Sequence, residues 1–112
     1  ATFIAFNLPT EEMAAKFQKS MSAAGVDTVC YKANKWHYAP NWEHMLSFAT
    51  ANPKQYPFTD PSYKGKVAYE RKSIPQAEDL LGRTLVMGIS VRMSDERIAQ
   101  IKAAIEKAAQ EL

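Results

Sequence analysis

Apolar positions change spacing several times along this chain, and each spacing predicts a different element. Residues 2–8 form an apolar run rich in aromatic and branched side chains, closed by Pro9, which reads as a strand. Thr10 then stands as a helix N-cap, and Glu11 and Glu12 place negative charge in the first turn, where the helix dipole favours it. Met13, Phe17, Met21 and Ala24 recur at intervals of four, four and three, one face of an amphipathic helix, which Gly25 ends. A second short strand is predicted over 28–31.

Between 32 and 72 this regularity stops. The segment holds most of the aromatic residues and half of the Lys and Arg, with prolines at 40, 53, 57 and 61. Asn41 is placed to cap a short helix through Trp42, Met45, Leu46 and Phe48. The remainder reads as a long ordered excursion, because disorder requires lower hydrophobicity than these aromatics allow.

Regular patterning returns at Ser73-Ile74-Pro75-Gln76, which has the form of a capping box and opens a short helix through Ala77, Leu80 and Leu81 to Gly82. Leu85, Met87, Ile89 and Val91 alternate with smaller or polar residues, so 84–91 predicts a strand with one buried face. Ser94 caps a last helix whose apolar stripe is Ile98, Ile101, Ile105, Ala108 and Leu112. Strands that each bury one face need helices to cover them. The expected fold class is therefore α+β: a small antiparallel or mixed sheet of three to four strands, covered on one face by helices. It forms a single domain over 1–112 with an aromatic and basic excursion at about 32–72.

Composition narrows the field. A chain of 112 residues supports one modest core. A formal net charge of +2 gives no argument for nucleic acid. The lone Cys30 excludes an internal disulfide, fits a reducing compartment and, in an apolar run, reads as a buried inert thiol. No apolar stretch approaches the roughly 20 residues of a membrane span and no signal-peptide pattern opens the chain, so the cytoplasm is expected. The chain starts at Ala1 and runs straight into a strand, as a fragment of a longer protein would.

Candidate chemistry concentrates in Asn34-Lys35-Trp36-His37-Tyr38-Ala39-Pro40-Asn41-Trp42-Glu43-His44. Both histidines lie here among aromatic rings, a composition suited to a sugar or another small polar ligand: ring faces pack on C–H surfaces while His, Asn and Tyr hydrogen-bond. The alternative is that Trp36, Tyr38 and Trp42 seal the edge of a core, and that His44 only bonds within its own helical turn. Two histidines without Cys or a well-placed carboxylate supply too few ligands for zinc. Lys64, Lys66, Arg71 and Lys72 could attract phosphates or simply be solvated. Arg92 could hold a substrate carboxylate through paired hydrogen bonds, or pair with Asp95 or Glu96. A Gly-rich phosphate loop, a nucleophile elbow and a paired-Cys metal pattern are all missing.

Taken in order, Leu8-Pro9-Thr10, Ala24-Gly25-Val26, Trp36-His37-Tyr38, Ile74-Pro75-Gln76-Ala77-Glu78 and Ser94-Asp95-Glu96-Arg97-Ile98 resemble the C-terminal small domain of the DegT-type sugar aminotransferases. These are fold-type-I enzymes that use pyridoxal phosphate. The pattern Asn34, Trp36-His37-Tyr38, Asn41-Trp42 and His44 is most similar to the branch that aminates C8 of an octulosonate sugar acid. The resemblance implies a homodimeric parent that moves an amino group from an amino acid to a keto- or aldehyde-sugar. The cofactor and the lysine that holds it would lie in a separate N-terminal domain. It further implies that Trp36, His37 and Tyr38 form a substrate-side wall supported by Asn34, Asn41 and His44; Arg92, on the residue reading above, is the further substrate-binding candidate. The chain alone would then be inactive and bind no cofactor, metal, nucleic acid or membrane. Met87-Gly88-Ile89 stands where the family usually has a Leu-Pro turn, and the 49–72 excursion is long for it. The competing expectation is a stand-alone α+β module that binds RNA or a phosphorylated ligand through the excursion.

Overall fold

The most regularly alternating strand of the sequence is the centre of the sheet. In the computed structural model, which describes residues 2–72 and 74–112, three strands pair antiparallel in the order β1-β3-β2. They are β1 (Phe3–Asn7), β2 (Val29–Cys30) and β3 (Thr84–Gly88). The helices are α1 (Glu11–Ala23), α2 (Glu43–Leu46), α3 (Pro75–Gly82) and α4 (Asp95–Gln110), with 3₁₀ turns at Tyr31–Ala33 and Ala39–Asn41. The fold class is α+β, as the patterning predicts. None of the described helices is long and apolar enough to cross a membrane.

The chain divides into two compact units, Ala1–Lys32 with Gln76–Leu112, and Ala33–Pro75. In the first, β1 and β2 flank β3, so the connection through α1 is a split β-α-β crossover. Register sets Phe6 beside Leu85 and Ile4 beside Met87, giving one face of the sheet. Leu85 and Met87 are buried there with Ala14, Phe17 and Met21 of α1 and Ile101, Ala104 and Ala108 of α4. The rings of Phe6 and Phe17 meet edge to face at 5.7 Å. The opposite face carries Phe3, Ala5 and Val29, all exposed, so helices cover one side only. Each fully buried aliphatic side chain, such as Met21, Leu85 or Val26, contributes about 1.5–3 kcal/mol.

The caps predicted for α1 and α4 are present. The Thr10 hydroxyl accepts from Met13 N–H at 3.1 Å, and the Ser94 hydroxyl from Arg97 N–H at 3.3 Å. Gly25 takes φ +72°, and Val26 N–H donates to Met21 O at 2.9 Å, the reversal that ends α1. Helix α4 completes that end: Arg97 donates to Gly25 O and Gln100 to Ala24 O, both at 2.9 Å. The Cys30 thiol, packed against the core, points at Leu81 O and Gly82 O. The capping box expected at Ser73 rests on a residue outside the described ones.

Two patterns differ from expectation. Strand β3 ends at Gly88, not at 91, because the Ser90 hydroxyl accepts from Arg92 N–H and turns the chain, leaving Val91 92% exposed. On α4 the buried line is Ile101, Ala104 and Ala108, while Ile98, Ile105 and Leu112 are each more than a third exposed. The two small alanines let α4 approach its neighbours closely, which turns those three larger residues to the flank.

Candidate functional site

The unit Ala33–Pro75 has almost no regular structure, and side chains holding backbone turns take its place. Asn34 accepts from the backbone N–H groups of Trp36 at 2.7 Å and His37 at 2.9 Å. Asn52 does the same for Lys54 at 2.9 Å, and Asp60 for Ser62 at 2.8 Å. Short polar side chains that mimic a backbone turn in this way fix chain direction without a ladder. Prolines at 40, 53, 57 and 61 limit the conformations left between them.

The Asn34 turn presents the Trp36-His37 pair. Trp36 is 84% exposed and His37 is exposed beside it. Behind them the Trp42 indole N–H donates to Trp36 O at 3.1 Å, and Asn41 Nδ2 donates to Asn34 O at 3.3 Å. The Trp42 ring stacks on His44, centroids 6.0 Å apart and planes 24° from parallel. Four of the expected residues thus act together: Asn34, Asn41 and Trp42 brace the segment on whose crest Trp36 stands. Trp36 does not seal a core edge.

Other expected residues are placed differently. Tyr38 is 2% exposed and belongs to the interior of its unit, so it offers no wall to a ligand. The alternation of exposed His37 with buried Tyr38 and Pro40 explains this: the segment runs along the surface with one side down. Asn41 lies in a 3₁₀ turn and does not cap α2; the N-cap position is Trp42, which has no side-chain capping bond. Exposed His44 stacks on Trp42 from the first turn of that short helix. Arg92 belongs to the other unit, is exposed, and pairs with neither Asp95 nor Glu96. Within the basic run Arg71 is committed: it donates to Pro40 O at 2.9 Å and pairs with Glu43.

A second aromatic cluster lies in residues that patterning left as an excursion. The rings of Phe48, Phe58 and Tyr69 meet in pairs at 5.2, 6.0 and 6.1 Å, forming the small apolar centre of this unit. Two clefts share Tyr69 as a wall. One, about 170 Å³, is bounded by Pro40, Trp42, Met45 and Leu46 and is mostly apolar. The other is an open groove of about 590 Å³ beside Phe58, Tyr63, Lys66 and Val67. Aromatic residues spaced among prolines are the only sequence signal of either, and they do not reveal which rings meet.

No group of His, Cys, Asp and Glu among the described residues could hold a metal ion. The hydrogen bonds that shift Asp60, from the Ser62 hydroxyl first, then the Ser62 N–H and the Tyr56 hydroxyl, hold its carboxyl below the usual carboxylate range. That carboxylate is therefore an ionised turn-former, unsuited to proton transfer near neutral pH. The geometry suits recognition: exposed rings on a braced backbone, with amide and imidazole groups beside them. No model of a known protein family matches the chain.

Proposed function

We propose that this chain is the small domain of a pyridoxal-phosphate-dependent sugar aminotransferase, contributing sugar recognition to an active site whose cofactor is held by a separate N-terminal domain in a homodimeric parent. The observation that carries this reading is the Trp36-His37 crest. A large aromatic ring is held 84% exposed by two hydrogen bonds from its own turn to Asn34 and a third from Trp42. Folding alone gives no reason to hold an indole in water, whereas a sugar ring packs on such a face. A pre-set backbone also reduces the ordering cost of binding. The α+β shell fits the resemblance drawn from the sequence, and Trp36, His37, Asn34, Asn41 and His44 remain the substrate-side group. Tyr38 is withdrawn from that group as an interior residue. Arg92, exposed and without an ion-pair partner among the described residues, is kept as a candidate for a substrate carboxylate.

Pyridoxal phosphate would supply the electron sink for amino transfer, and this chain would bind and orient the sugar. The test is made in the parent enzyme. His37→Ala and Trp36→Ala should raise the sugar KM or lower kcat by about tenfold, with cofactor affinity unchanged. Loss of cofactor affinity alone, with sugar kinetics intact, would overturn the assignment. So would transaminase activity in the 112-residue chain by itself.

A further inference from the structure

We propose that the groove bounded by Tyr63, Lys66 and Tyr69 binds a ring-bearing organic anion, a carboxylate or a phosphate monoester, with its ring against the tyrosines and its charge on the Lys66 ammonium. The site lies wholly within Ala33–Pro75 and is argued independently of the aminotransferase reading.

The two aromatic walls differ in how they are held. A Cβ added at Gly65 would stand 2.6 Å from the Tyr63 hydroxyl oxygen and 2.7 Å from the adjoining ring carbon, so the exposed Tyr63 ring lies over Gly65 and a side chain there would displace it. Tyr69 leans on Phe58 and Phe48 and remains 44% exposed on its other side. The space beside them, about 590 Å³, is of the size that small-molecule sites occupy, about 300–1,000 Å³. Ring faces attract flat aromatic rings and the C–H faces of sugars alike.

Charge decides the sign of the ligand. Asp60 and Lys66 both line the groove. The carboxylate is already occupied: the Ser62 N–H and hydroxyl both donate to Asp60 Oδ1, at 2.8 and 2.6 Å. Lys66 has no hydrogen bond or ion pair among the described residues, and Lys64 is held to Pro61 O at 3.2 Å. Asp60 keeps its charge, so the two formal charges of the lining balance, and Lys66 is the one whose polar group is still open to a ligand. The positive excess lies in the surrounding unit, with six Lys and Arg against three Asp and Glu, while the other unit carries eight against nine.

The test uses the ¹⁵N-labelled chain at physiological salt, with glucuronate and glucose 6-phosphate as probes and glucose as the neutral control. Both anions, or one of them, should shift the amide signals of Tyr63, Lys66 and Tyr69, and the stronger binder identifies the anionic group. Lys66→Gln should weaken that binding about tenfold. Gly65→Ala, whose methyl displaces the Tyr63 ring, should weaken it measurably while the signals of the other unit stay in place. Lys102→Gln, on α4, should leave it unchanged. The proposal is overturned if neither anion binds by about 10 mM, if glucose shifts the same amides equally, or if Lys66→Gln and Lys102→Gln behave alike.

Discussion

In the unit Ala1–Lys32 with Gln76–Leu112, position is set by aliphatic burial: Met21, Leu85 and Ala108 are fully enclosed, and strands and helices satisfy the backbone. In Ala33–Pro75 the same task falls to a three-ring cluster and to Asn34, Asn52 and Asp60, each closing a turn with its own side chain. That second unit holds eight of the twelve Phe, Trp and Tyr residues, and most of their rings stay partly in water. The difference teaches where recognition can be built. A surface of rings and turn-locked amides can present a ligand site because it is not committed to a deep core, whereas the regular unit encloses Met21, Leu85 and Val26 completely.

The largest expected effect falls on the regular unit. Met21→Ala, at a position with no solvent exposure, should destabilise it by about 2–5 kcal/mol in denaturant unfolding followed by far-UV circular dichroism. Phe58→Ala removes a half-buried ring from the three-ring cluster, and about 1–2 kcal/mol is expected. It should appear as loss of dispersed signals from 33–75 while helical dichroism is kept; loss of both together would mean that the two units share one cooperative transition. Thr10→Ala, which removes the cap of α1, should cost about 1 kcal/mol in the same unfolding experiment. Trp36→Ala should change stability by less than about 0.5 kcal/mol, since the ring contributes to no core. A larger loss there would mean the indole is structural, and the contrast between the units would shrink.

The same contrast governs what the sequence made legible. Period-2 and period-3.6 spacing report burial against a common core, so β1, α1, β3 and α4 are readable, as are the caps Thr10 and Ser94 and the terminator Gly25. The end of β3 was not, because it depends on a local bond from Arg92 N–H to the Ser90 hydroxyl. Nor was the face of α4, where the small residues Ala104 and Ala108 outcompete the larger Ile98 and Ile105 for the interior. In 33–75 composition singled out the aromatic-rich segment, and Trp36, Asn34 and Asn41 do meet there. Spacing could not separate Tyr38 from its neighbours, since a chain without periodicity gives no inside and outside to count. The Phe48–Phe58–Tyr69 contacts join residues up to 21 apart through turns, which no short-range pattern encodes.

Phe48 itself adopts φ 54°, a left-handed backbone that a bulky side chain enters at a cost of about 1–2 kcal/mol. Glycine would relieve that penalty and forfeit the ring; alanine would keep the penalty and forfeit the ring as well. The kink just past α2 is thus maintained by what the side chain grips, against what the backbone prefers, and Phe48→Gly should leave a looser bend that no longer points the chain toward Phe58.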